Sequence, residues 1–337
     1  MPVSGYWARM TNFGYTLMTE QSGPRELVHY AAAAEEAGFD FEVCSDHYSP
    51  WLTEQGHAPY AWTVLGAVAH ATSRVGLMTY VTCPTVRYHP AVVAQKAATL
   101  SLLSEGRFTL GLGSGESLNE HVVGAGWPGV ATRQAMLAEA VGIIRELHTG
   151  ELVDHSGEFF DVESARIWDP PEQPLEIGIA VAGPRAIAEL APLADHLVAV
   201  EPSAEIVDAW NNTDGAKRVG EQARGIGQVP VCWAPTEDEA KELAHEQFRW
   251  FAGGWAVNAD LPTPAGFDGA TQFVRPDDVA SSLPCGPDLD AIVEAVSSYW
   301  KAGFTDVAIV QVGDRLQQRF LDEAARPLLE KLRAAAP

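Results

Sequence analysis

"HPAVVAQKAATLSLLSEGRFTLGLGSGESLNE", residues 89–120, holds one repeat of an architecture. A helix pattern opens on Pro90 and stops at Gly106, as helices do when proline sits in the first turn and glycine just past the last. A short β-rich run, "RFTLGL" at 107–112, follows at once and ends in a polar, glycine-rich segment. Helix feeding directly into strand is half of a parallel crossover. The plan recurs along the chain. "PRELVHYAAAAEEAG" at 24–38 leads into "FDFEVC" at 39–44, and "RQAMLAEAVGIIRELHTG" at 133–150 again closes on glycine. Further strands are expected at 13–18, 75–81, 176–181, 196–200, 229–234 and 306–312. Eight strands, each followed by helical pattern, predict an α/β chain folded as a (β/α)8 TIM barrel; a doubly wound sheet is the runner-up. Two connections, 114–175 and 235–305, exceed a simple crossover, and on a barrel such lengths make lids or pocket walls. No linker divides residues 1–337, so one domain is expected.

The 337 residues carry a formal charge of −23, which disfavours nucleic acid and anionic membranes as partners. Cys44, Cys83, Cys232 and Cys285 are far apart, with neither zinc spacing nor a disulfide framework, so a reducing cytoplasm is expected. Neither a signal peptide nor an apolar run of membrane-spanning length is evident.

Active groups of such barrels lie at the C-terminal ends of strands. The second strand ends in Ser45-Asp46-His47, with Trp51 shortly after. A histidine titrates near neutrality and can take a hydroxyl proton, while an acid beside it can orient it or hold a ligand hydroxyl. The plainer reading is a capping aspartate beside a surface histidine. The fourth strand ends in "GSGES", where glycines permit close approach to a flat ligand or a tight turn, and Glu116 is either a helix-start charge or a proton handler. The run lacks the third glycine of a dinucleotide fingerprint, and no phosphate-loop, zincin or nucleophile-elbow motif occurs.

Taken together, "SDHYSPW" (45–51), "QGHAP" (55–59), "PTVRYHPAVVAQ" (84–95), "RFTLGLGSGESLNE" (107–120) and "AGP" (182–184) resemble, in order and spacing, the F420-dependent glucose-6-phosphate dehydrogenases of the luciferase-like barrel superfamily. The likeness runs over about residues 13–333 and extends to "PCGPD" and "FTDVAIVQVG". It implies coenzyme F420 as cofactor, with hydride passing between a hydroxyl or carbonyl substrate and the deazaflavin C5. By the same resemblance His47 would be the base, Glu116 the proton donor to the reduced ring, and Trp51 a substrate-contacting wall. Asp46, Tyr80, Val81, Cys83, Asn119, Ala182 and Gly183 fall on coenzyme-contact positions. In relatives a non-proline cis peptide lies where Tyr80–Val81 stands here, and Cys83 replaces a threonine. Where the sugar-phosphate enzymes clamp phosphate with two lysines and an arginine, this chain aligns Ser203, Asn258 and Ser282. A phosphate dianion without cations would be poorly held, so the expected substrate is a neutral small molecule and not glucose 6-phosphate. A homodimer is expected from relatives. The alternatives are an FMN-dependent monooxygenase of the same superfamily and a non-catalytic F420-binding protein.

Overall fold

The computed structural model describes residues 11–337. Eight parallel strands close into a barrel: β1 (Asn12–Leu17), β2 (Phe41–Cys44), β3 (Gly76–Thr79), β4 (Phe108–Leu112), β7 (Ile177–Ala180), β8 (His196–Val198), β9 (Gly225–Val231) and β10 (Asp306–Gln311). The circular order runs β1-β2-β3-β4-β7-β8-β9-β10 and returns to β1, where Asn12 pairs with Asp306. The two intervening strands, β5 (Val153–Ser156) and β6 (Asp161–Ala165), form a separate antiparallel hairpin within the first long connection.

Period-two alternation separates two layers of core. Phe13, Tyr15 and Leu17 face outward beneath the helices, together with Leu77, Leu110, Ile177 and Ile309. Phe41 and Val43 point inward and fill the barrel with Met78, Val198, Ile226 and Ala308. The expected helices stand at Pro24–Ala37, Pro90–Leu103 and Val130–Leu147. Gly38 ends the first in the left-handed conformation, at φ 108°. A third cluster sits at the barrel mouth, where Trp51, Leu52 and Leu118 pack with Phe248, Phe267 and Leu283 of the second long connection.

Two strand expectations need correction. The seventh barrel strand is Gly225–Val231, four residues ahead of the expected 229–234. Gly225 and Gly227 read as breakers, yet a Cβ at Gly227 would lie 2.4 Å from the Tyr299 ring. That glycine makes room for a helix side chain and does not end the strand. The strand expected over 75–81 spans Gly76–Thr79, and the Tyr80–Val81 peptide that follows is cis.

Candidate active site

Three strand ends meet at one imidazole. Beyond β1 the chain places Glu20, beyond β2 His47, and beyond β4 Glu116. His47 Nδ1 lies 2.5 Å from Glu20 Oε1, and its Nε2 lies 3.1 Å from Glu116 Oε1. Both carboxylates receive further donors: the Ser45 hydroxyl at 2.6 Å and the Thr19 hydroxyl at 3.2 Å reach Glu20 Oε2, and the Asn119 amide donates to Glu116 at 2.6 Å. Asn119 also accepts from the backbone N–H groups of Tyr48 and Ser49, at 2.7 and 3.1 Å. One side chain thereby ties the His47 loop to the Glu116 turn.

Burial opposes a charge on His47, but the Glu20 carboxylate and the hydrogen bond to Glu116 outweigh it and push the imidazolium up to about 10. Burial likewise opposes ionisation of Glu20 and Glu116, and His47 reverses that, holding both below the usual carboxylate range.

The glycines before Glu116 have a different task from the expected approach to a ligand. A Cβ on Gly111 would lie 1.9 Å from the Thr79 carbonyl, and one on Gly113 would lie 2.5 Å from a Val81 methyl. These two let strand ends touch. Gly115, at φ 85°, makes the turn that delivers Glu116.

Asp46 is 2% exposed. Its carboxylate accepts from Trp62 Nε1 at 3.0 Å, Thr82 Oγ1 at 2.6 Å, Tyr88 OH at 3.1 Å and Arg87 Nη2 at 3.2 Å. With four donors on two oxygens, this side chain fixes the backbone leading to His47 and leaves no free lone pair for a coenzyme hydroxyl. Arg87 spans Asp46 and Glu120, whose Oε1 lies 3.4 Å from its Nε and whose Oε2 accepts its backbone N–H at 2.8 Å. Behind the same rings the Lys96 ammonium sits 3.4 Å from the Tyr88 ring centre, and within 5.1 and 5.4 Å of Tyr60 and Trp62. Burial pulls Lys96 down to about 8, with Asp46 acting in opposition.

A cavity of about 480 Å3 opens beside His47, lined by Tyr48, Ala58, Tyr60, Arg87 and Tyr88. On another side of the imidazole, Trp51 stands edge-on at 5.2 Å and stacks in parallel on Trp250 at 4.2 Å, with Phe267 edge-on behind. Arg249, next to Trp250, is held by Glu54 at 3.0 Å and Asp268 at 2.9 Å.

The structure thus brings together His47, Trp51, Glu116, Asp46 and Asn119. Tyr80 and Val81 form the cis peptide, and Cys83 is buried against the Glu116 turn, 3.5 Å from where a Gly115 Cβ would stand. Ala182 is exposed, and Gly183 caps helix Pro184–Leu190 with open space around it. Ser203, Asn258 and Ser282 each bond within their own segment. The Ser203 hydroxyl caps helix Ala204–Asn211, the Ser282 hydroxyl is exposed and turned to the Asp278 carbonyl, and the buried Asn258 amide reaches the Trp250 carbonyl. Glu20, Arg87 and Trp250 escaped the sequence reading. For Glu20 the signal was present, since "TEQ" follows the first strand as "SDH" follows the second.

Residues 5–306 match the model of the luciferase-like monooxygenase family. An F420-dependent glucose-6-phosphate dehydrogenase of Nakamurella multipartita is 37% identical, across 96% of both chains. One from Amycolatopsis mediterranei is 35% identical, across 96% of this chain and 99% of its own. Among solved structures, an F420-dependent secondary alcohol dehydrogenase with an F420–acetone adduct superposes with a TM-score of 0.83 at 25% identity, covering 94% of this chain and 99% of that one. An F420-dependent tetrahydromethanopterin reductase from Methanopyrus kandleri, at 18% identity and a TM-score of 0.74, shares the fold. This chain belongs to the luciferase-like monooxygenase family, alongside the family's F420-dependent oxidoreductases.

Proposed function

We propose that the chain is an F420-dependent oxidoreductase that interconverts a small neutral alcohol and its carbonyl compound. The observation that carries this is His47, buried between two carboxylates at three strand ends and open to a cavity. The cavity fits a flat coenzyme with polar edges. Three tyrosine rings, an imidazole and a guanidinium line it. Tyr80, Val81, Asn119, Ala182 and Gly183 would hold the ring and its tail, with Asp46 steadying the loop that carries His47. When bound, the deazaflavin supplies or accepts a hydride. His47 would then handle the substrate hydroxyl proton, with Glu116 beside it, a positioned proton transfer that typically contributes about 10²–10⁴ in rate.

A neutral substrate is supported by the pairing of nearby cations. Arg87 is paired with Asp46 and lies against Glu120, and Arg249 is paired with Glu54 and Asp268. Neither offers a free charge for a phosphate dianion. Trp51, Trp250 and Phe267 form an apolar wall suited to a short aliphatic group.

The test is fluorescence titration with F420 and, separately, FMN, followed by assays with propan-2-ol, cyclohexanol and glucose 6-phosphate. F420 binding with turnover of a neutral alcohol is expected. Preference for FMN moves the chain to the monooxygenase reading, binding without turnover of any alcohol makes it a coenzyme-binding protein, and efficient use of glucose 6-phosphate overturns the substrate class. Trp250→Ala should favour cyclohexanol over propan-2-ol relative to wild type.

In this reading the chain works as one barrel unit with 114–175 and 235–305 as its walls, in the cytoplasm, as a homodimer. Four free thiols suit a reducing compartment. Exposed Val92 and Leu103 on helix Pro90–Leu103 offer a face for a second copy, which a solution mass measurement checks. No described helix is long and apolar enough to cross a membrane.

A further inference from the structure

We infer that Glu20, His47 and Glu116 form one proton-conserving unit: Glu20 pins a proton on His47 Nδ1, and a second proton passes between Nε2 and Glu116, so that hydride transfer in either direction exchanges no proton with solvent. This deepens the function proposed above and rests on it.

The argument begins with donors and acceptors. A neutral imidazole has one N–H, and its other nitrogen is an acceptor. Here both nitrogens lie close to carboxylate oxygens, Nδ1 at 2.5 Å from Glu20, off the line of a straight N–H bond, and Nε2 at 3.1 Å from Glu116. An unprotonated nitrogen would set lone pair against lone pair in a buried place. The neighbouring groups do not supply the missing proton, because Ser45, Thr19 and Asn119 already donate to these carboxylates. The unit therefore holds two protons among three groups. They rest as imidazolium between two carboxylates, and a minor form holds imidazole beside protonated Glu116. The two arrangements differ by one proton crossing 3.1 Å.

That crossing matches both directions of the reaction. In oxidation the hydroxyl proton of the alcohol goes to His47 Nε2 as the C–H bond breaks and its hydride leaves for the coenzyme. Glu116 releases the proton that accompanies the hydride. The alcohol has lost two electrons and two hydrogens, the coenzyme has gained them, and the unit still holds two protons. The proton on Nε2 then returns to Glu116. Carbonyl reduction runs the same steps backwards.

The surroundings keep the count constant. Arg87, from the loop after β3, stabilises ionised Glu116 through space, and Glu120 covers the far side of Arg87. Asp46 is turned away onto four other donors, the Cys83 thiol is held neutral by burial, and Trp51 brings no charge. The imidazolium, pushed up to about 10, keeps the second proton across the neutral range. Coupled groups of this kind titrate as a set and not one by one.

A lone histidine base loses alcohol oxidation tenfold per pH unit below about 6.5. The unit predicts a kcat/KM that is flat within about twofold from pH 5.5 to 9, both for propan-2-ol with F420 and for acetone with reduced F420. Glu20→Gln should restore an acid limb to oxidation, with about tenfold loss per pH unit below it. Independently of turnover, nitrogen-15 histidine NMR of the protein without coenzyme should show two ring N–H groups for His47 at pH 7, assigned by their loss in His47→Gln. One ring N–H at pH 7, or a wild-type oxidation profile rising tenfold per unit through pH 6.5, overturns the inference. Two ring N–H groups in a protein that turns over neither substrate would sustain the unit and overturn the proposed function. Should Glu20→Gln fail to fold, the wild-type spectrum still decides.

Discussion

Glu120→Gln offers a quantitative probe of the charge cluster behind the site. Glu120 is 1% exposed and touches the guanidinium of Arg87. Burial raises its acid and Arg87 offsets only part of that, while Glu116 and Asp46 add to the rise, so it moves from its ordinary 4.5 up to about 7. For an acid whose folded value is raised, the stabilising contribution is complete below the unfolded value and is lost as pH climbs through the folded one. At about 1.4 kcal/mol per pH unit, the interval from 4.5 to about 7 corresponds to roughly 3 kcal/mol. Glutamine is neutral at every pH and retains an oxygen for the Arg87 backbone N–H. The unfolding free energy of wild type minus that of Glu120→Gln should therefore fall with rising pH, and the constant cost of altering the Arg87 contact cancels in the slope. Because the sequence pI is near 4.7 and solubility suffers there, the useful window is about pH 5.5 to 8.5, which spans about 2 kcal/mol of the change. Urea unfolding of the coenzyme-free protein, followed by tryptophan fluorescence, measures it. A difference that stays constant within about 0.5 kcal/mol across that window refutes the reasoning.

Gly111→Ala should cost on the order of 3 kcal/mol or more, because its Cβ would meet the Thr79 carbonyl, whereas Gly113→Ala meets a side-chain methyl that can turn aside and should cost less. Equal urea midpoints for the two variants would count against the close strand contact. Lys96→Met should stabilise the protein at pH 7. The buried ammonium has its value pulled down to about 8, so the wild type regains stability only as pH rises from there toward 10.5. The gain from methionine should accordingly shrink over that interval, and a gain independent of pH would point to packing alone.

Most of the barrel was legible because helices here announce their ends: Pro24 and Gly38 bracket the first in sequence as in structure, and Pro90 opens the next, which closes at Ser104, two residues ahead of Gly106. The strand at Gly225–Val231 was displaced because Gly225 and Gly227 signal turns locally, while Gly227 makes room for the Tyr299 ring pressed against the barrel. At the site, His47 and Glu116 could be found from the strand-end rule. The same rule pointed to Glu20 as well, but a glutamate one residue past an apolar run reads as a surface charge until the fold buries it. Trp250 was beyond reach, since nothing in "FRWFAGG" says that its indole lies flat on Trp51 from the other end of the chain. Ser203 and Ser282 show the converse. The resemblance puts them at the substrate, and a short polar side chain at a helix end also serves that end: both hydroxyls bond within their own helices.

The division of labour around His47 carries an evolutionary consequence. Glu20, His47 and Glu116 all lie in the first half of the chain, each anchored to a strand end by neighbours such as Ser45 and Asn119. The indole and phenyl groups opposite, Trp250 and Phe267, arrive on a long connection and reach His47 through Trp51. Insertions and replacements in that later stretch can remodel what enters the pocket while the proton-handling trio stays untouched. Descendants of one ancestor can then diverge in diet without relearning the reaction.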